Sequence, residues 1–365
     1  VVDELYVDDG GDMVEEMPAN VVKRILRQAD PEMRKMINEI LKYPDDCAGS
    51  IMTTEYVSLR PNMTAGEAIQ RIRCTGVDKE TIYTCYVTEN NRKLVGMVSL
   101  RTLLFSEDED VLENIMESNV ISVNTLEDQE SVAQMFTKYD FAALPVVDQE
   151  DRLVGVVTVD DVMDVMEEEA TEDFQRMAAM APSEKSYLKT GVFALAKNRI
   201  LWLLVLMISG MITGGILGRY EAAIAAMPLL VTFIPMLTDT GGNAGSQSST
   251  IIIRAMTMGE IGFRNLIQVL WKEIRVGVLA GAALSAVNFF RLLLTTPHSA
   301  GIALTVSLAM LLTVVMAKAV GAMLPLLAGV LRWDPAIMAA PLITTIVDAL
   351  SLLVYFGIAK LLLGV

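Results

Sequence analysis

Asp348 is a carboxylate set in an apolar run, Pro341-Leu342-Ile343-Thr344-Thr345-Ile346-Val347-Asp348. A charge at membrane depth is expensive, so it points first to function. The alternative is an Asp paired or protonated inside a helix bundle. A second feature is Asp239-Thr240-Gly241-Gly242-Asn243-Ala244-Gly245-Ser246-Gln247-Ser248-Ser249, which interrupts another apolar stretch. Polar, glycine-rich backbone at that depth meets protein or lines a watery cavity. Small residues also let helices approach closely. Pore lining and tight packing therefore both fit. No Gly-Lys-Ser/Thr ending follows, so this is not a phosphate loop. A third feature is the run Asp160–Asp173, with Asp160, Asp161, Asp164, Glu167, Glu168, Glu169, Glu172 and Asp173 and no basic residue. On a helix, Asp161, Asp164, Glu168 and Glu172 share a face. Such carboxylates repel one another unless cations screen them. Hard divalent ions prefer oxygen, and Mg²⁺ needs only one or two carboxylates plus waters. The run reads as an ion-responsive region, against the alternative of a solvated helix face.

These residues must be positioned by two unlike halves. The chain has 365 residues, is 53% hydrophobic and carries a formal net charge of −16. Before position 191 lie 18 basic and 39 acidic residues, and after it 11 and 6. An acidic soluble half is fused to an apolar one, which excludes a simple soluble enzyme. Nucleic-acid binding is excluded as well, because it needs a basic face to release phosphate counterions. Cys47, Cys74 and Cys85 form no CxxC pair and leave an odd count, as in a reducing cytosol. No signal-peptide pattern follows Val1.

Five apolar stretches run roughly over 200–218, 224–252, 274–294, 302–330 and 337–361. Each approaches the ~20 residues that span a bilayer, and lipid demands helices. Pro228, Pro235, Pro325 and Pro341 fall inside these stretches. Lys197, Arg199, Arg254, Arg264, Lys272, Arg275 and Arg332 flank one side, and Arg219, Arg291 and Lys360 the other. This bias places the acidic half in the cytoplasm and the C-terminus outside. Lys318 falls within the fourth stretch and takes no side. Asp334-Pro335 reads as an N-cap with Pro at the first helical position, and could also bind a cation at the inner mouth.

The acidic half repeats itself. Ile51-Met52 matches Ile115-Met116, and Leu94-Val95-Gly96-Met97-Val98-Ser99 matches Leu153-Val154-Gly155-Val156-Val157-Thr158. Each copy has an extended entry, a helix, two apolar runs and a closing helix. The helix of the second copy is expected over 127–139, capped by Thr125 or a neighbour. Over roughly 50–170 this order resembles a tandem of CBS domains, modules that often bind adenine nucleotides. The resemblance implies a ribose-binding Thr158-x-x-Asp161 in the second copy. The first copy has Thr102 where the Asp would stand. Arg101 would serve phosphate and Phe141 a stacked base. A purely structural module is the alternative.

Thr240-Gly241-Gly242-Asn243-x-Gly245-x-Gln247-Ser248, Asp334-Pro335-Ala336 and Pro341-Leu342-Ile343-Thr344-Thr345-x-x-Asp348, in that order after a CBS pair, resemble the MgtE family of magnesium channels. The resemblance implies a multidomain homodimer in the bilayer of the inner (plasma) membrane. Its parts would be a short helical N-terminal segment (1–50), α/β CBS domains (51–114 and 115–170), a connecting helix (171–197) and an all-α five-helix transmembrane domain (198–365). It implies a pore along the dimer interface with Asp348 as filter carboxylate. Thr344, Ala340, Asn243 and Gln247 would line that pore. It further implies Mg²⁺ both as cargo and as sensor ligand, the bound ion holding the pore closed. The matching carboxylates are Asp8, Asp12, Glu130, Asp140, Asp161, Asp164, Glu169, Glu172, Asp173 and Asp334. ATP is admitted as a ligand of the CBS pair. Two rivals stand beside this reading. One is an intramembrane aspartyl protease built on Asp239-Thr240-Gly241 and Asp348. The other is a CBS-gated transporter of an anion or organic solute, or of Co²⁺, Ni²⁺ or Mn²⁺.

Overall fold

A computed structural model describes residues 34, 37–38, 40–183, 187–188, 190–295, 300–331, 333–338 and 340–364. The chain divides into two units, Val1–Glu169 and Ala170–Val365.

In the first unit the sequence repeat becomes a structural one. The first copy contains β1 (Ser58–Leu59), α1 (Ala65–Thr75), β2 (Thr84–Thr88), β3 (Leu94–Ser99), α2 (Leu100–Phe105) and α3 (Leu112–Ile115). The second contains β4 (Val123–Asn124), α4 (Gln129–Tyr139), β5 (Ala143–Val147), β6 (Leu153–Thr158) and α5 (Val159–Met177). Each sheet pairs its short first strand parallel to the second, and the second antiparallel to the third. Even the register shift recurs, at Val87/Thr88 and at Val146/Val147. Helix α1 starts with a capping box between Thr64 and Glu67. Helix α4 is capped by Asp128 rather than Thr125, its side chain accepting from the Glu130 and Ser131 amides. A carboxylate competes well for this position because it also meets the positive end of the helix dipole.

The two copies exchange their entry segments. Thr53 and Val156 trade backbone hydrogen bonds at 2.8 and 2.9 Å, and Met97 and Glu117 do the same at 3.0 and 2.9 Å. Met52 lies against Gly155 of the second copy, and Met116 against Gly96 of the first. A Cβ at Gly155 would stand 2.8 Å from the Thr53 carbonyl oxygen, so the crossing chain needs glycine there. The expected cut between residues 114 and 115 therefore separates two pieces that complete each other's sheets.

The second unit holds the end of α5, then α6 (Val192–Arg219), α7 (Glu221–Ala226), α8 (Ile234–Thr257), α9 (Leu266–Thr295), α10 (Ala300–Val330) and α11 (Ala340–Leu363). The expected connecting helix over 171–197 differs from what is seen. Helix α5 continues out of the second copy to Met177, and the next helix begins at Val192 and runs straight into the first apolar stretch. The second stretch is also divided. A 3₁₀ turn, Pro228–Phe233, separates α7 from α8. Pro228, Pro235 and Pro341 consequently sit in first turns, where a missing N–H has no cost. Of the four prolines only Pro325 lies inside a helix.

Among the described residues, four segments are long and apolar enough to cross a membrane: Val192–Arg219, Phe263–Thr295, Ala300–Val330 and Pro335–Leu363. Helix α8 falls outside that set because its middle is polar. It packs on α10 and α11, and α9 packs on α10. The tightest crossing is Gly245 of α8 on Gly321 of α10. A Cβ on Gly321 would collide with the Gly245 backbone, including its carbonyl oxygen. Gly321→Ala should therefore destabilise the bundle by roughly 1–3 kcal/mol, the usual cost of overpacking. Gly218→Ala, where an added methyl meets nothing within 4 Å, should not destabilise it. Thermal unfolding in detergent measures both.

Candidate functional site

Helix α8 has two faces of different character. Gly241, Gly242, Ala244, Gly245, Ser248 and Ser249 are buried. Gly242 lies against Thr344 of α11, Gly245 against Ile343, and Gly241 against Thr313, Val347 and Ser351. The opposite face exposes Asp239, Asn243 and Gln247, spaced one turn apart. The glycine-rich segment thus packs on one side and leaves a polar stripe on the other. Asp348 is half-buried on α11 and feels the like charge of Asp239. Among the described residues, none of Asp239, Asn243, Gln247 and Asp348 has a side-chain hydrogen bond or ion pair. Thr344, by contrast, spends its hydroxyl on the Pro341 carbonyl at 2.9 Å. Ala340 is the first residue of α11.

Asp334 caps the 3₁₀ turn Pro335–Met338, as its sequence suggests. Its Oδ1 accepts from the Ala336 amide at 2.7 Å. Its Oδ2 accepts from Arg176 Nη1, while Arg176 Nη2 pairs with Glu172. Met177 packs beside Ile253 and Ala336 in the same place. Both Asp334 oxygens are engaged by protein. Sequence reading missed Arg176 because it looked only for carboxylates, and 158 residues separate the partners.

The remaining sensor candidates are distributed along the chain. Glu169 accepts from Gln129 Nε2 at 2.7 Å. Asp140 holds a left-handed φ of 54° as the C-cap of α4, a conformation that Asp tolerates better than most residues. Glu130 accepts from Gln134 at 3.4 Å. Asp164 is exposed, and Asp173 half-exposed. Asp8 and Asp12 lie outside the described residues. Among the described residues, the acidic oxygens that converge within 4.8 Å of one another belong to Asp160, Asp161 and Glu80. Glu80 comes from the first copy and was not among the sequence candidates. Only the crossing of the two copies brings it there.

The same cluster includes Thr158, whose amide and hydroxyl both donate to Asp161 Oδ2. The first copy repeats this turn with Ser99 and Thr102, whose amide donates to Ser99 Oγ at 3.0 Å. Thr158 and Asp161 are together as expected, and Asp161 spends part of its capacity starting α5. Phe141 packs on Phe136 and Tyr139 instead. Arg101 makes no hydrogen bond or ion pair among the described residues. Burial pushes the Glu80 carboxyl up to about 7, aided by the charges of Asp161 and Asp160 and opposed by hydrogen bonds with Thr53 and Thr158. The folded chain then holds this proton to higher pH than an unfolded one does. The contribution to stability is full below about 4.5 and is lost as pH rises through about 7. Glu80→Gln should flatten the pH dependence of unfolding across that window and raise the unfolding temperature at about pH 8. Thermal unfolding of the full chain against pH checks this.

Comparison with known proteins gives a consistent picture. Residues 234–358 match the family described as divalent cation transporter. Residues 48–108 and 112–168 match CBS domains, and 1–46 match the MgtE intracellular N domain. A magnesium transporter MgtE of Thermus thermophilus is 40% identical over 344 residues, 93% of this chain and 75% of the relative. Its counterpart in Bacillus subtilis is 34% identical over 352 residues, 96% and 77% of the two chains. Among solved structures, the cytosolic domain of the Mg²⁺ channel MgtE in complex with ATP is 42% identical, covering 45% of this chain and 67% of that one at a TM-score of 0.44. The chain belongs to the MgtE family of divalent cation transporters.

Proposed function

We propose that the chain carries Mg²⁺ across a membrane as a channel-like homodimer, with Asp348 as its selectivity carboxylate. The observation that carries this reading is the polar stripe of Asp239, Asn243 and Gln247 on α8, beside Asp348 on α11. These groups are without side-chain partners among the described residues. Lipid offers such groups no hydrogen bonds, so they belong against water, an ion or a second copy of the same stripe. Two copies facing each other would enclose a polar path between them. Strongly hydrated Mg²⁺ dehydrates reluctantly, and a path lined by carboxylate, amides and hydroxyls suits a partly hydrated ion. Three relatives matched over most of this chain are magnesium transporters.

Closure follows from the acidic helix. Carboxylates on α5 repel when empty and draw together when divalent ions screen them. An ion that binds the closed arrangement more tightly shifts the population towards it. Arg176 already bridges Glu172 and Asp334, so a divalent ion must compete with a guanidinium for those two acids. In this reading the CBS pair and the acidic helix lie in the cytoplasm and the C-terminus outside. Thr158 and Asp161 give ATP a foothold in the CBS pair.

The test is divalent-ion flux into proteoliposomes, wild type beside Asp348→Ala, at several internal Mg²⁺ concentrations. Mg²⁺ flux should fall about tenfold or more in Asp348→Ala, equivalent to at least ~1.4 kcal/mol of barrier. Wild-type flux should fall as internal Mg²⁺ rises. Unchanged flux in Asp348→Ala would remove the pore assignment. Flux indifferent to internal Mg²⁺ would remove the sensor alone. Faster Co²⁺, Ni²⁺ or Mn²⁺ than Mg²⁺ flux would reassign the cargo.

A further inference from the structure

The pore helix carries a second set of polar residues on its buried side. Lys318 lies well inside α10 and is only 7% exposed. Its ammonium donates to Ser248 Oγ on α8 at 3.3 Å. Ser248, 1% exposed, in turn donates its hydroxyl to Glu273 Oε2 on α9 at 2.6 Å. The direction of this relay is fixed by chemistry. An ammonium only donates and a carboxylate only accepts, so a hydroxyl between them must accept from one and donate to the other. Three helices are joined at one atom, Ser248 Oγ. The Lys318 stem passes Gly277 of α9, where a Cβ would lie 3.6 Å from Lys318 Cδ.

The next residue makes a second tie in another direction. Ser249 is fully buried, and its hydroxyl donates to the Met338 carbonyl at 3.2 Å, in the turn that leads into α11. Successive residues on a helix point about 100° apart. Two such bonds from adjacent positions therefore fix the rotation of α8 about its own axis. That rotation decides where Asp239, Asn243 and Gln247 face.

We propose that Lys318, Ser248 and Glu273 are positioning residues for ion passage: an intramembrane clamp, neutral overall, that holds α8 in the rotation which aligns its polar stripe with Asp348. The inference rests on the pore reading above. An intramembrane lysine is a functional candidate by default, and Glu273, at the edge of its apolar stretch, is the acid that answers it. Here their role is exerted through the helix between them, because neither lies on the stripe.

The full chain in proteoliposomes tests this, with Mg²⁺ and Co²⁺ as the probe ions. The variants are Lys318→Met, Glu273→Gln, their combination, and Ser248→Ala, beside Asp348→Ala. Glu273→Gln leaves the buried Lys318 ammonium, and Lys318→Met the half-buried Glu273 carboxylate, without its counter-charge, so both should lower the unfolding temperature and the flux. The Lys318→Met/Glu273→Gln pair should regain the unfolding temperature, yet keep a Mg²⁺-to-Co²⁺ flux ratio changed about threefold or more. Ser248→Ala removes no charge and should shift the ratio in the same direction. Wild-type ratios in both the double variant and Ser248→Ala would overturn the clamp and leave the pore standing if Asp348→Ala still loses flux. If Asp348→Ala keeps full flux, the pore reading falls and the clamp falls with it. Should either single variant fail to fold, the double variant and Ser248→Ala decide the matter.

Discussion

Helices in lipid gain little from hydrophobicity when they meet, because the surrounding chains are as apolar as their own side chains. What holds them is close packing, and close packing needs small residues. The contact of Gly245 with Gly321 is the tightest instance in this bundle. It brings α8 against α10 with no side chain between backbones, while α11 meets the α8 glycines through Ile343, Thr344 and Val347. Once that face is committed, the helical repeat leaves no freedom for Asp239, Asn243 and Gln247. They must point the other way. The same contact thus assembles the bundle and presents its polar stripe. Glycine and polar residues alternate through this segment because the two tasks share one helix.

The acidic half works against a different constraint. Like charges crowded on α5 destabilise any arrangement that gathers them without compensation. Where compensation is visible it comes from the chain itself: Gln129 for Glu169, Thr158 for Asp161, Arg176 for Glu172 and Asp334. The Arg176 pairs have side chains 22–31% exposed, so salt screens them less than it screens fully exposed pairs. A divalent ion must better that bridge to take its place. In the proposed reading Arg176 therefore bears on how much ion closure needs.

Much of this was legible in the sequence. The CBS repeat, the apolar stretches, the Asp334 cap and the motifs around Gly241 and Asp348 are local patterns, and local patterns survive folding. What escaped depends on contacts across long separations. Glu80 joins Asp160 and Asp161 only because the two copies exchange their entry segments. Arg176 meets Asp334, and Lys318 meets Glu273 through Ser248, across helices whose neighbours no periodicity reveals. Boundaries failed where composition misleads. Helix α9 starts at Leu266, before the apolar stretch, because Lys272, Glu273 and Arg275 lower the local hydropathy without ending the helix. The apolar run over 224–252 reads as one span, because a bundle can satisfy the carbonyls that Pro228 and Pro235 would free inside a helix. Both prolines instead sit in first turns.

The treatment of charge across the bundle separates packing from function. Buried neutral hydroxyls stand unpartnered among the described residues, at Ser285, Ser307, Thr313 and Ser351. The bundle tolerates them because an unmet hydroxyl costs only about 1–3 kcal/mol. A buried charge is far more costly, and the buried Lys318 ammonium is joined through Ser248 to Glu273. Asp348 differs. It is half-buried on an apolar helix, feels the like charge of Asp239, and makes no hydrogen bond or ion pair among the described residues. The bundle compensates its buried lysine and leaves Asp348, like Asp239 on α8, without a partner among the described residues. In the proposed reading the partner is a mobile cation, whose charge and preference for oxygen suit a carboxylate so placed.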